Sequence, residues 1–387
     1  MNIYDIKKNN RKKVYAYIRE KGFATKQDIA YSLNLSLPTI TQILNYLIKQ
    51  GLVRADRKIT KRTSGRNPIA YSYIPDGKVA IGLDITRNHI KSVVVDLDGK
   101  VIKYNYRRQP FQRSDDYLKL LGEEVASIID SMQLDHSKIL GVAIAVPGLV
   151  SDEDGYIFHG KVIDNYGMNR EDFAKYIPYP ARLIHDSYAS VFSEIWFSDK
   201  IHNAFYISLC NSVGGAIVLN DNIYMGDGLY SGEIGHLNIF PDTDKQCYCG
   251  QRGCFDIYCN AEVLSMHTDD NLDLFFDQLK KGNKKLEKIW DEYLNYLAIA
   301  ISDIRMLFGC TIIVGGYVGA RIKDYMHQLY KKVEARNPFG EKSADYLIPC
   351  KNDIEAIAVG AALCIIDDFL NNIACEKFSV DSMQIWI

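Results

Sequence analysis

Read from its start, the chain first repeats apolar residues every three or four positions, the period of an amphipathic helix. Val14 and Ile18 share one face of a first helix. A second helix is expected to start at Thr25, because Thr25-Lys-Gln-Asp28 has capping-box spacing, and its apolar positions are Ile29 and Leu33. The turn Asn34-Leu35-Ser36 follows. Ser36 caps a third helix, and Pro38 falls in its first turn, where a missing N–H costs nothing. Ile40, Ile43, Leu44, Leu47 and Ile48 form the buried stripe, and Gly51 ends the helix. Tyr71-Ser72-Tyr73 then alternates like a returning strand.

From Lys78 the period changes. Val79–Ile85, Ile90–Asp96 and Val101–Tyr106 predict three strands, Tyr117–Met132 a helix, Ile139–Val146 and Ala181–Ile184 strands, and Ser187–Phe197 a helix. The series begins again at Asn203–Leu209, with Ala216–Leu219 and the turn Asn220-Asp221-Asn222 echoing the earlier hairpin. A repeated strand–strand–strand–helix–strand–helix order fits two similar α/β lobes with a ligand cleft between them. Pro75-Asp76-Gly77 is turn chemistry and marks a linker. The division expected is a small helical module over 1–75 and a larger α/β module over 79–387. Within the latter, one lobe spans about 79–190 with the C-terminal helix, and the other 191–369.

Charge sharpens this division. The 387 residues carry a net −2, yet residues 1–78 carry +11 and the remainder −13. A small basic module on an acidic one points to a polyanionic partner. Two helices joined by a tight turn form a helix-turn-helix. The polar residues at the front of the third helix, Thr39, Thr41, Gln42 and Asn45, are suited to base edges and phosphates. The basic loop Arg57-Lys58-Ile59-Thr60-Lys61-Arg62-Thr63-Ser64-Gly65-Arg66 reads as the tip of a wing. There Arg57, Lys58, Lys61, Arg62 and Arg66 would meet phosphates or the minor groove. A small helical protein-interaction domain is the alternative, and it leaves the basic wing without a role.

No apolar run approaches the ~20 residues of a membrane helix, and the polar N-terminus lacks a signal-peptide core. A cytoplasmic, membrane-free protein is expected. Four of nine cysteines lie within 247–259, which suggests metal chemistry in a reducing compartment more than a disulfide framework. His236 with Cys247, Cys249 and Cys254 makes a ligand set for tetrahedral zinc, and four protein ligands describe a structural site. Gly250 and Gly253 let the loop fold back so that Cys254 joins the pair, while Cys259 is read as a core residue.

These motifs together resemble the ROK family (repressors, open reading frames and sugar kinases). Gly235-His236, ten residues, then Cys247-x-Cys-Gly-x-x-Gly-Cys254 is similar to that family's zinc motif. Gly141–Gly148, Ser231–His236, Ile312–Gly316 and Ala358–Ala362 resemble further family segments. The resemblance implies two actin-like, ribonuclease-H-like lobes of the hexokinase type. A winged helix-turn-helix in front marks the repressor branch. By the same resemblance, His185, Asp186, Glu233, His236 and Asp256 stand at sugar-contacting positions. Asp186 matches the kinase base, His185 replaces an Asn, and Asp256 replaces a longer Glu.

The departures fall on the nucleotide side. Family kinases end the first strand in Asp-x-Gly-Gly-Thr, whose backbone N–H groups approach ATP phosphates. Here the segment is Asp84-Ile85-Thr86-Arg87-Asn88, and Asn211-Ser212-Val213-Gly214-Gly215 keeps only part of the second phosphate loop. Phosphoryl transfer rests on positioning, so no enzymatic activity is expected. The function expected is a sugar-responsive transcriptional regulator, a repressor, binding operator DNA as a homodimer or dimer of dimers. An active sugar kinase with a DNA arm and a regulator controlled by a protein partner are the alternatives.

Overall fold

The computed structural model describes residues 3–56, 68–151, 155–198, 201–351 and 356–373. The basic module comprises α1 (Ile3–Lys21), β1 (Phe23–Thr25), α2 (Lys26–Leu33), α3 (Leu37–Lys49), β2 (Val53–Asp56) and β3 (Ala70–Tyr73). Thr25 caps α2 in a reciprocal capping box with Asp28, Asn34 turns the chain in the left-handed region, and Ser36 caps α3. Ile40, Ile43, Leu44 and Leu47 are buried, but Ile48 is 39% exposed. It therefore lies outside the stripe expected for it, one position beyond Leu47 on the turning helix. The strands form a sheet in the order β1-β3-β2, so β2 and β3 are the antiparallel legs of a wing. The five wing-tip cations, Arg57, Lys58, Lys61, Arg62 and Arg66, lie outside the described residues.

Pro75–Gly77 forms a 3₁₀ turn and is packed against its surroundings. A methyl group at the buried Gly77 would lie 2.2 Å from the Gly51 carbonyl oxygen. Leu97 N–H donates to the Pro75 carbonyl at 3.0 Å and Ile74 N–H to that of Leu52 at 3.1 Å. The expected linker is thus a rigid joint.

The first lobe contains β4 (Val79–Ile85), β5 (His89–Asp96), β6 (Val101–Arg108), α4 (Asp115–Met132), β7 (Ile139–Val146), β8 (Leu149–Val150), β9 (Ile157–His159), α5 (Arg170–Ala174), β10 (Ala181–His185) and α6 (Asp186–Trp196). The second contains β11 (Ala204–Leu209), β12 (Val213–Leu219), β13 (Asn222–Tyr224), α7 (Asp256–Cys259), α8 (Glu262–Ser265), α9 (Leu272–Lys280), α10 (Lys284–Phe308), β14 (Thr311–Gly315), α11 (Gly316–Ile322), α12 (Met326–Glu334) and β15 (Leu347–Pro349). The last helix among the described residues is α13 (Ala356–Asn372).

The two sheets run β10-β7-β4-β5-β6 and β13-β12-β11-β14-β15. In each, the first strand is central, its hairpin partners are antiparallel, and the later strands join in parallel on its other side. The duplication faint in the sequence is therefore exact in strand order. β4, apolar except for Asp84, and the wholly apolar β7 are buried throughout apart from the first residue of β7, as strands covered on both faces must be.

Although it follows the second lobe in the chain, α13 packs on β4, β7, β5 and α6 of the first lobe. Small residues make this possible. A methyl group at Gly82 of β4 would meet the Ala358 carbonyl oxygen at 1.9 Å, and one at Gly360 would meet that of Ala189 at 1.7 Å. The helix therefore touches sheet and α6 at backbone distance.

Candidate functional site

The two lobes face each other across a cavity of about 240 Å³. Thr86, Arg87, Pro147, Lys161, Asp186, Ser212, Tyr248, Asp256 and Tyr317 are among its lining residues. A smaller adjoining recess of about 40 Å³ shares Pro147, Lys161, Asp186, Ser212 and Tyr248 and adds His159, His185 and Glu233.

Asp186 is the first residue of α6, with His185 in the cap position. His185 makes no side-chain capping bond, and Asp186 does not cap a helix starting at Ser187. Its carboxylate faces the cleft, with Oδ1 accepting the Ser187 hydroxyl at 3.3 Å. His185 Nε2 lies 3.6 Å from Asp186 Oδ1 and 3.7 Å from Glu233 Oε1. All three thus converge, the carboxylates partly exposed and the imidazole almost buried. Two carboxylates beside a ring nitrogen offer the alternating acceptors and donor that vicinal hydroxyls require.

Asp256 behaves differently. Its Oδ1 accepts the Val213 N–H at 2.6 Å, and burial raises its pKa above the ordinary carboxylate range. It ties α7 to β12, and one of its two oxygens is already committed. His236 Nε2 lies 3.2 Å from the hydroxyl of Tyr248, a cleft-wall residue that was not anticipated. The signal available in the sequence was its place between two cysteines that must turn inward to a common point. Lys161 and Ser212 also line both cavities and were not anticipated.

The expected metal ligands do come together. One donor atom from each of His236, Cys247, Cys249 and Cys254 lies within 4.8 Å of the others. His236 Nδ1 is 3.8 Å from Cys247 Sγ, and Cys249 Sγ is 3.7 Å from Cys254 Sγ. Gly250 and Gly253 have φ of +92° and +75°, which lets the short loop reverse. Three sulfur donors and one nitrogen fit a soft-binding divalent ion. Cys259 sits apart, fully buried, with its thiol on the Tyr293 carbonyl.

Where the resemblance would place a nucleotide, several polar groups are taken up within the chain. Asp84 is buried with Lys91 Nζ 3.6 Å from Oδ2, and neither carboxylate oxygen has a hydrogen-bond partner among the described residues. Lys91 Nζ lies 4.6 Å from the centre of the Tyr317 ring, a cation–π contact, and the Tyr317 hydroxyl is 3.1 Å from His89 Nε2. Thr86 Oγ1 accepts the N–H groups of Asn88 and His89 at 3.4 and 3.2 Å. Arg87 donates to the Val162 carbonyl through Nε at 3.3 Å and Nη2 at 3.0 Å. With Val213 N–H held by Asp256, amides in both loops that would cradle a phosphate are occupied.

The α3 residues expected to face DNA divide by exposure. Gln42 and Asn45 are exposed, Thr39 and Thr41 half-buried. Thr39 Oγ1 bonds Ser36 Oγ at 2.8 Å, and Thr41 Oγ1 donates to the Leu37 carbonyl at 2.8 Å while accepting from Lys26 Nζ at 3.1 Å.

The sequence profile of the ROK family matches residues 80–368. The chain belongs to the ROK family. The profile of winged helix-turn-helix DNA-binding domains matches residues 8–54 of this ROK protein. The xylose repressor of Bacillus subtilis is 22% identical over 381 residues, 95% of this chain and 97% of the relative. NagC, a DNA-binding transcriptional dual regulator of Escherichia coli, is 26% identical over 269 residues, 68% of this chain and 65% of that one. Among solved structures, a ROK family transcriptional regulator homologous to the E. coli MLC protein superposes with a TM-score of 0.72 at 22% identity. It covers 95% of this chain and 98% of its own. A ROK family glucokinase from Streptomyces griseus, in complex with glucose and AMPPNP, gives 0.63 at 20% identity, over 73% of this chain and 98% of its own. The fold of this ROK protein is thus shared by regulators and kinases. No helix among the described residues is long and apolar enough to cross a membrane.

Proposed function

We propose that the protein is a sugar-responsive transcriptional repressor and not a kinase. One contrast carries the proposal: the carboxylates of Asp186 and Glu233 face an open cleft, while the amides beside Asp84 and Val213 are already hydrogen-bonded. A ligand with hydroxyls is accommodated, whereas a triphosphate lacks its cradle. Relatives named as xylose and N-acetylglucosamine repressors support a sugar effector. Asp186, Glu233 and His185 would accept and donate to its hydroxyls, with Tyr248 flanking them. Asp256 and His236 would shape the wall from behind.

Zinc is the ion proposed for His236, Cys247, Cys249 and Cys254. With four protein ligands its role is structural, holding the loop that carries Tyr248. Gln42 and Asn45 would read bases, Thr39 and Thr41 would flank them, and Arg57, Lys58, Lys61, Arg62 and Arg66 would serve the backbone. Two copies are expected on a two-fold operator. A sugar releases or retains DNA only through its different affinity for the two arm geometries.

The test selects duplexes from a random pool with the full chain. Binding is then measured with and without a sugar panel that includes D-xylose and N-acetyl-D-glucosamine. Sequence-selective binding weakened by one sugar is expected. Selective binding indifferent to every sugar would favour control by a protein partner, and sugar-dependent ADP release would favour the kinase.

A further inference from the structure

The route from the cleft to the DNA arm is built from contacts at two separate places. Asp186 begins α6, and one turn later the Ala189 carbonyl lies against Gly360 of α13. Because a single methyl group there would overlap by more than an ångström, α13 cannot shift independently of α6. At its far end the Ile373 carbonyl accepts the Tyr46 hydroxyl at 3.0 Å, and Asn371 Oδ1 accepts Lys12 Nζ at 2.7 Å. Tyr46 belongs to α3, the helix that carries Gln42 and Asn45, and the Arg11 guanidinium covers its ring at 4.0 Å. Its side chain is therefore turned to the effector module and not to DNA.

The second attachment uses the β5–β6 turn. Asp98 Oδ1 accepts the Tyr73 hydroxyl at 2.9 Å and Arg19 Nε at 3.2 Å, and Arg19 Nη2 donates to the Leu97 carbonyl at 3.0 Å. Tyr73 packs edge-on against Tyr15. A continuous apolar cluster joins the arm to α13 and β5, from Val14 and Leu44 through Val95 and Leu97 to Ile365 and Phe369.

We propose that α13 is a strut linking the ligand-facing start of α6 to the reading helix, and that Tyr46 and Asp98 are positioning residues that set the angle of the DNA arm. The proposal rests on the regulator reading. Two attachments on different elements define an angle, and displacement of the last turns of α13, beyond its backbone contacts at Ala358 and Gly360, relative to the β5–β6 turn rotates the arm. The rotation reaches α3 directly at Tyr46, without passing through the rigid 75–77 joint. By linkage, effector and DNA then bias the same α6–α13 position in opposite senses.

The test uses the full chain and a duplex selected by the wild type, in one-half-site and two-half-site forms. Tyr46→Phe and Asp98→Asn each remove hydrogen bonds while keeping shape, and Tyr31→Phe on the exposed face of α2 is the control. The two-half-site affinity should fall about two- to tenfold per variant, because two arms at a fixed spacing must be held at a fixed angle. One-half-site affinity should be unchanged. Unchanged affinity for both forms, or an equal fall in both, overturns the proposal. If the wild type selects no duplex, the regulator reading fails, and amide exchange in the free chain decides the mechanical claim. The double variant should exchange faster in β3 and in the last turn of α13, and also in the first turn of α6. Unchanged exchange in α6 refutes the strut.

Discussion

Replacing Lys91 by Met tests whether the former phosphate side has become a sealed structural core. Asp84 is fully buried, and among the described residues its carboxylate oxygens have only the Lys91 ammonium, 3.6 Å away, to offset lost hydration. Breaking such a pair from one side costs about 3–5 kcal/mol. The pH dependence carries a definite sign. Burial raises the Asp84 pKa from 3.8 to about 6, with Lys91 opposing the rise. An acid raised in the folded state binds more protons folded than unfolded between those values, so its contribution to stability falls as pH rises from about 4 to 6. The loss amounts to about 3 kcal/mol and is constant above that window. Without Lys91 the folded pKa climbs further, and the penalty reaches higher pH. Lys91→Met should therefore be less stable than wild type by several kcal/mol at pH 8, with the deficit shrinking toward pH 5 as Asp84 protonates. Asp84→Asn/Lys91→Met, which removes both charges, should recover most of it. Urea unfolding at both pH values measures this. A Lys91→Met deficit below about 1 kcal/mol at pH 8, or one equal at pH 5 and 8, would refute the sealed-pair argument.

Purified protein should hold one zinc per chain, and Cys254→Ser should lose it; elemental analysis that finds folded, metal-free wild type contradicts the site. Glu233→Gln and Asp186→Asn should each weaken sugar binding by about 1.5–3 kcal/mol, the worth of a hydrogen bond to a charged group, as read by calorimetry with the sugar found in the panel. Gln42→Ala should weaken the selected duplex more than random DNA, by about 1–3 kcal/mol, whereas Lys61→Ala should weaken both and flatten the salt slope by about 0.9. The reverse pattern would exchange the roles of helix and wing. ATP with any panel sugar should yield no turnover at the ordinary kinase rate of about 1–100 per second.

Local chemistry made much of the fold legible. The capping residues Thr25 and Ser36, the apolar stripe of α3 and the unbroken β4 and β7 need only near neighbours to act, so their spacing declares them. The cysteine pair with its returning third cysteine is equally local, and only His236 stands more than a few residues away. Ile48 was misread, and the packing around the 75–77 turn was not legible, for one reason. Which residue is covered depends on what packs there, and turn chemistry looks alike whether the turn is free or clamped by Gly51 and Leu97.

By itself the sequence determined the helix-turn-helix, the two-lobed α/β order, the metal donor set and the loss of the phosphate-loop glycines. Each is a matter of periodicity or residue type within a short span. Only the tertiary structure decided what fills the places so vacated. Lys91 comes to Asp84, Tyr317 crosses from the second lobe to His89, Tyr248 covers His236, and Tyr46 reaches the end of α13 from 327 residues away in the chain. Tyr317–His89 and Tyr46–Ile373 join residues far apart in sequence, while Asp84–Lys91 and His236–Tyr248 are close in the chain but carry no spacing that announces them. What joins them is the burial of charge and hydroxyl groups, which obliges each to find a partner wherever the folded backbone brings one.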